Sequence, residues 1–208
     1  MELSQFVPDF AAALKTVDGS CGPAVSIRSG RVYRAGIGPY SEVKAVDLIV
    51  SELMRISSER YGTLRTGVPY PLSRQTSDLT LGHPLEWMFE IKMARFQGDN
   101  GKPDDTAIKD ILSPFEGDRS AVTDCVKLSE KGGAVRKAMI IYGFEAPGRP
   151  LSTIARAFEI LVGSHVVLGP AWSAAFSNLR HPVHSSGSVY GWEILGGERI
   201  APHGDRDD

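Results

Sequence analysis

Apolar and polar residues alternate most regularly over residues 86–93, Glu86-Trp87-Met88-Phe89-Glu90-Ile91-Lys92-Met93. A period of two predicts a strand. Successive side chains on a strand point to opposite faces. Trp87, Phe89, Ile91 and Met93 therefore share one face, and Glu86, Met88, Glu90 and Lys92 share the other. Upstream the period changes. Val46, Ile49, Val50, Leu53 and Ile56 fall on one stripe at helical spacing, which predicts a helix to about Arg60, capped near Tyr40 or Ser41. Glu42 lies on that stripe, one turn before Val46, and is expected to point inward. Glu52 and Glu59 lie off it and read as surface residues.

Elsewhere the pattern alternates helices with strands. Residues 3–17 read as a short helix that Pro8 interrupts early. Residues 24–28 and 31–35 fit short strands or loop equally. Residues 62–77, rich in Pro, Gly and Ser, read as a connection. A short strand over 77–81 and a turn at Gly82-His83-Pro84 make 77–93 a predicted hairpin. A loop over 97–103 leads to a helix over 104–112, started by Asp104 or Asp105. Residues 113–118 break it. A further helix runs over 119–130, with Ala121, Val122, Cys125 and Leu128 buried and Gly132-Gly133 at its end. Residues 135–145 form the clearest buried strand. An amphipathic helix over 151–162 and strands over 165–168 and 189–195 follow. This order predicts an α/β fold with a mixed central sheet flanked by helices. It is expected as a single domain over 1–200, with a disordered tail over 201–208.

Composition narrows the function classes. The chain has 208 residues, enough for one domain with a sizeable core. A net charge of −2 and a pI near 6.2 give no global basic field for gripping nucleic-acid phosphates, although a local basic face is compatible with both. Only two cysteines, Cys21 and Cys125, are present. That excludes a disulfide scaffold and a Cys-based zinc site, and points to a reducing cytoplasm. No apolar run has the length to span a bilayer, and the N-terminal residues lack the pattern of a signal peptide.

The charged face of the 86–93 strand carries the candidate chemistry. Glu90 and Lys92 sit side by side on it. Asp78 lies on the other arm of the hairpin, with eleven residues between it and Glu90. Asp78 in Thr76-Ser77-Asp78-Leu79, Glu90-Ile91-Lys92 in Phe89-Glu90-Ile91-Lys92, the inward Glu42 and the element order together resemble the PD-(D/E)xK superfamily, the restriction-endonuclease-like fold. The resemblance covers about 39–146 and leaves a C-terminal extension over 147–200. Ser77 stands where the motif name has Pro.

The resemblance implies an α-β-β-β-α-β core and a metal-dependent nuclease that hydrolyses phosphodiester bonds. Its substrate would be DNA, double-stranded rather than single-stranded, and the chain would act as a homodimer. Asp78 and Glu90, with the backbone carbonyl of Ile91, would coordinate Mg2+, for which Mn2+ substitutes. Lys92 would orient the nucleophile or stabilise developing charge, and Glu42 would complete the site or bind a second metal. The alternative is a catalytically inactive binding or assembly subunit of the same fold.

Each residue also has a plainer reading. Glu90 and Lys92 can be a structural ion pair, Asp78 a strand-end residue, and Glu42 a carboxylate favoured by the helix dipole. Ser120, Asp124 and Lys127 share a helix face, and Asp124 with Lys127 reads as a local pair. Arg74 and Arg95 flank the proposed site as candidate phosphate contacts. His181-x-x-His184 hints at zinc, but without compact partners it reads as no metal site. Asp99-Asn100-Gly101 lacks the other ligands of a calcium loop and reads as a tight turn. Trp172 and Trp192 suit a core or a dimer interface.

Overall fold

Trp87, Phe89 and Ile91 are buried against one set of helices and Met88 against another. The strand that carries them therefore lies inside a sheet covered on both faces. The computed structural model describes residues 1–25, 30–70, 73–115, 117–131, 133 and 135–196. Its helices are α1 (Leu3–Ser20), α2 (Glu42–Ile56), α3 (Ser58–Tyr61), α4 (Thr106–Leu112), α5 (Ala121–Lys131) and α6 (Leu151–Val162). Its strands are β1 (Pro23–Val25), β2 (Val32–Ala35), β3 (Arg65–Pro69), β4 (Thr76–Leu81), β5 (Trp87–Arg95), β6 (Arg136–Phe144), β7 (Val167–Leu168), β8 (Trp172–Ser177) and β9 (Ser186–Gly196). No helix among the described residues is long and apolar enough to cross a membrane.

The main sheet has seven strands in the order β3-β4-β5-β6-β9-β7, with β8 also paired to β9. β3, β4 and β5 form an antiparallel meander. β5 and β6 are parallel, so the chain must cross over between them, and α4 and α5 make that crossover. The fold is thus mixed α/β, a mixed sheet flanked by helices.

Two apolar cores, one per face, hold the layers together. On one face α1 and α2 cover Trp87, Phe89, Ile91, Ile140 and Tyr142. Phe6 stacks on Phe89 with ring centroids 4.7 Å apart, and Phe10 lies 5.5 Å from Tyr142. Each large side chain buried this way contributes roughly 1.5–3 kcal/mol. α1 comes close to β9 because Gly191 has no side chain: a Cβ there would lie 2.6 Å from Val7 Cγ2. On the other face α4, α5 and α6 cover Met88, Met139, Ile141 and Trp192. Trp192 is buried and its indole N–H donates to Glu159 Oε1 at 2.8 Å, whereas Trp172 is exposed.

Several expectations need correction. Pro8 does not interrupt α1, which runs on to Ser20. Its ring sits on the exposed side near the helix start, and the apolar face of Leu3, Phe6, Val7, Phe10, Leu14 and Val17 outweighs one lost hydrogen bond. α2 ends at Ile56, which is 48% exposed rather than on the buried stripe. A separate turn, α3, follows. Residues 65–69, expected within a connection, form β3. Its burial pattern is almost wholly exposed, so it carries no alternation to read. β8 was likewise not expected; its Trp-Ser-Ala-Ala-Phe-Ser has too few bulky residues for a pattern. Part of 24–28 and the whole of 201–208 lie outside the described residues.

Candidate functional site

β4 pairs with β5 only as far as Leu79 opposite Phe89. Beyond that point β5 has no strand partner on that edge among the described residues. The N–H groups of Ile91 and Met93 leave the strand there and need acceptors. Two carboxylates supply them. Asp78 Oδ2 accepts from the Ile91 N–H at 2.8 Å, and Glu42 Oε2 accepts from the Met93 N–H at 2.5 Å. Ser77, buried one residue earlier, donates its hydroxyl to the Phe89 carbonyl at 2.8 Å and fixes the divergence of the strands. In an extended residue N–H and C=O leave on the same edge, so the Ile91 carbonyl faces this side too.

Glu42 reaches this edge because Ser41 caps α2, accepting from the Lys44 N–H at 3.4 Å. That places Glu42 in the first turn, above Val46, and turned inward. Glu90 and Lys92 project from the other face of β5 towards α5. Glu90 is 2% exposed. The Tyr70 hydroxyl donates to Glu90 Oε1, and Lys127 Nζ lies 3.0 Å from the same oxygen. Lys92 Nζ lies 2.7 Å from Asp124 Oδ2, and Lys127 Nζ lies 2.8 Å from Asp124 Oδ1. Asp124 and Lys127 form the local pair their spacing suggests, and each also reaches across to β5.

The charged side chains among these groups line one open cleft of about 860 Å³, and Tyr70 lies outside its lining. Its floor holds Glu42, Asp78, Glu90, Asp124, Lys92 and Lys127. Exposed Arg74, Arg119 and Lys131 stand on its walls. Arg95 does not join them. Its guanidinium donates to the Gly38 carbonyl at 2.8 Å instead. Ser120 does not face the cleft as a substrate contact. It is fully buried and caps α5, accepting from the Thr123 N–H at 3.1 Å while Thr123 Oγ1 accepts from the Ser120 N–H at 3.0 Å.

The electrostatics follow from burial. Burial pushes the Glu90 carboxyl up to about 8, reinforced by the negative charges of Asp78 and Asp124 and opposed by Tyr70 and Lys127. Burial likewise pushes Glu42 up to about 7, against the pull of Lys92 and the Met93 amide. Burial alone would lower Lys92, but the adjacent Asp124 outweighs it and its pKa is raised; Lys127 behaves in the same way. The floor therefore keeps two ammonium groups charged and leaves two carboxyls partly protonated near neutral pH.

Among the described residues, no three of the four floor carboxylates bring oxygens within 4.8 Å of one another. Lys127 stands between Glu90 and Asp124. The residue pattern did not reveal Tyr70, which follows β3 in a stretch with no strand signal. Nor did it join Asp124 to Lys92, although the face shared by Asp124 and Lys127 was the available clue. No protein family, no curated protein and no solved structure matches this chain significantly.

Proposed function

We propose that the chain is a metal-dependent nuclease that hydrolyses phosphodiester bonds in DNA. One observation carries the reading. Four carboxylates and two lysines converge on the floor of one open cleft, and two of the carboxyls are forced towards the neutral form. Fully ionised, these six groups carry two more negative than positive charges, a deficit that one divalent cation meets. The donors are hard oxygens, which suit Mg2+, with Mn2+ as substitute. Asp78 and Glu90, with the Ile91 carbonyl, would hold it once their side chains turn from their internal partners, and Glu42 would then complete the set. When bound, such an ion supplies a more acidic water and neutralises charge on phosphoryl oxygens.

The chain's own residues do the rest. The Lys92 ammonium, held by Asp124, orients the attacking water and meets the charge that develops on the phosphate. Tyr70 and Lys127 fix the rotamer of Glu90. Water gives up one proton to solvent as its oxygen bonds to phosphorus, the phosphorus–oxygen bond to the leaving sugar breaks, and the leaving oxygen takes a proton from solvent. Arg74, Arg119 and Lys131 on the cleft walls contact flanking phosphates, which reconciles a nucleic-acid substrate with an overall acidic chain. With the short helices α3 and α4 as insertions, the order α2, β3, β4, β5, α5, β6 supports a restriction-endonuclease-like core. Two buried free thiols, Cys21 and Cys125, suit the cytoplasm. Double-stranded DNA and a homodimer remain part of the reading, with exposed Trp172 and Val167 on the outer sheet edge as its surface.

A second reading rests on a different observation: every charged group on the floor already has a partner inside the protein. A closed network of that kind suits an inactive binding or assembly subunit. Incubation with supercoiled, linear and single-stranded DNA in Mg2+ or Mn2+ separates the two. Cleavage by the wild type and its loss in Lys92→Ala support the nuclease. No cleavage of any DNA or RNA form supports the inactive subunit.

A further inference from the structure

Away from the cleft, the turn after β5 meets the loop between β8 and β9. Among the described residues, Asp99, His181 and His184 are the one group of three or more Asp, Glu, His or Cys side chains whose ligand atoms all lie within 4.8 Å of one another. His181 is 0% and His184 2% exposed. Asp99 Oδ1, His181 Nε2 and His184 Nδ1 are buried, and none has a hydrogen-bond partner. Such atoms are rare in folded proteins, because each has given up water for nothing. Asp99 Oδ1 and His184 Nδ1 are 3.7 Å apart. That is too long for a hydrogen bond and close to the separation of two donors sharing one ion through bonds of ~2 Å.

The surroundings fix the rings in place. His184 Nε2 lies 2.9 Å from the Gln97 carbonyl. A carbonyl only accepts, so Nε2 carries the proton and Nδ1 presents a lone pair. A histidine that binds a metal through one nitrogen while donating from the other has this arrangement. His181 Nδ1 accepts from the His184 N–H at 3.3 Å. Ligation through Nε2 shifts the ring proton to Nδ1 and gives up that long bond, with no net proton released. Burial holds both imidazoles below the ordinary histidine value, which keeps them neutral.

The loop through Gly36 and Gly38 packs directly against both histidines. A Cβ at Gly38 would lie 2.4 Å from His184 Nδ1, and one at Gly36 would lie 2.8 Å from the His181 amide nitrogen. Buried Asp18 clamps this loop to its partner, accepting from the Ile37 N–H at 2.8 Å and the Arg180 N–H at 2.6 Å. His181 and His184 stack with centroids 4.7 Å apart.

We propose that Asp99, His181 and His184 form a binding site for a zinc-class divalent ion, separate from the carboxylate cleft, that ties the turn after β5 to the β8–β9 loop. Two imidazole nitrogens and one carboxylate oxygen make a borderline donor set. It suits Zn2+ or Co2+ and not Mg2+ or Ca2+, which take oxygen shells. Three protein ligands leave one position of a tetrahedron to a non-protein ligand.

The full chain, stripped with a chelator, is titrated with ZnCl2 alone, and bound metal is measured after gel filtration. Wild type is expected to retain about one equivalent of Zn2+ in excess Mg2+. Asp99→Asn, with the far-ultraviolet spectrum of the wild type, is expected to bind at least about tenfold more weakly. Glu90→Gln, altered only in the cleft, retains the ion. Zn2+ raises the melting temperature of the wild type more than that of Asp99→Asn. A wild type that emerges metal-free, an Asp99→Asn variant that binds as tightly as wild type, or equal competition by Mg2+ overturns the site.

Discussion

Lys92 Nζ lies 2.7 Å from Asp124 Oδ2, a carboxylate in the first turn of α5, and the contact ties the central strand to the helix of the crossover. Both side chains are largely covered, at 14% and 12% exposure. Removing one partner of such a pair leaves a charge with little water to replace it. Asp124→Asn is expected to cost about 2–4 kcal/mol of unfolding free energy in urea. In a double-mutant cycle with Lys92→Met the coupling should reach about 1–3 kcal/mol. Additive losses would show that Lys127 alone satisfies Asp124.

The raised carboxyls make stability depend on pH in an unusual direction. In the folded protein Glu90 titrates at about 8 and Glu42 at about 7, against an ordinary value of 4.5 for each. Between those values the folded chain holds protons that the unfolded chain has lost. Their contribution to stability is complete below about pH 4.5 and disappears as pH rises through 7 and 8. Each group contributes a slope of up to about 1.4 kcal/mol per pH unit within its window. Without divalent ions, Glu90→Gln should therefore gain on the wild type between pH 5 and pH 8. Parallel urea-stability curves for the two proteins would remove the shift at Glu90. If Glu90 holds the proposed Mg2+, the added ion should flatten the wild-type curve, because it would bind the ionised form.

The central strand was legible because it is buried on both faces yet keeps two different faces, one aromatic and one charged. That contrast placed Glu90 and Lys92 together, and the cap at Ser41 placed Glu42. What the sequence could not show was of two kinds. β3 and β8 lie at the edges of the sheet, where few side chains are buried and alternation fades. Lys92 with Asp124, and Asp99 with His181 and His184, are joined only by the folding of distant segments, and no local spacing encodes them. His181-x-x-His184 looked inert because its third partner lies far upstream, on a turn whose own residues suggested nothing more.

Asp78 and Glu42 each hold a strand amide, a duty that mutation can separate from the proposed role in catalysis. Both cap amides on the unpaired edge of β5, at Ile91 and Met93. Asp78→Ala leaves the Ile91 N–H without its acceptor and should cost about 1–3 kcal/mol. Asp78→Asn keeps an acceptor oxygen and should stay within about 1 kcal/mol of wild type. If Asp78 also serves in catalysis, Asp78→Asn should still lose DNA cleavage in Mg2+. Full cleavage by a stable Asp78→Asn protein would confine Asp78 to the strand edge.

Tyr70 donates its hydroxyl to the most buried carboxylate of the cleft, Glu90. A donor stabilises the ionised form, so this bond holds the Glu90 pKa below where burial alone would set it. Tyr70→Phe removes the donor and little else. It should cost about 0.5–1.5 kcal/mol, the net worth of one hydrogen bond. It should also move the Glu90 titration to still higher pH, read by the side-chain carboxyl carbon in a nuclear magnetic resonance titration. If Glu90 holds the proposed cation in its ionised form, the rising limb of cleavage against pH should move the same way. A titration that stays in place while stability falls would mean that Tyr70 only packs against Glu90 and does not tune it.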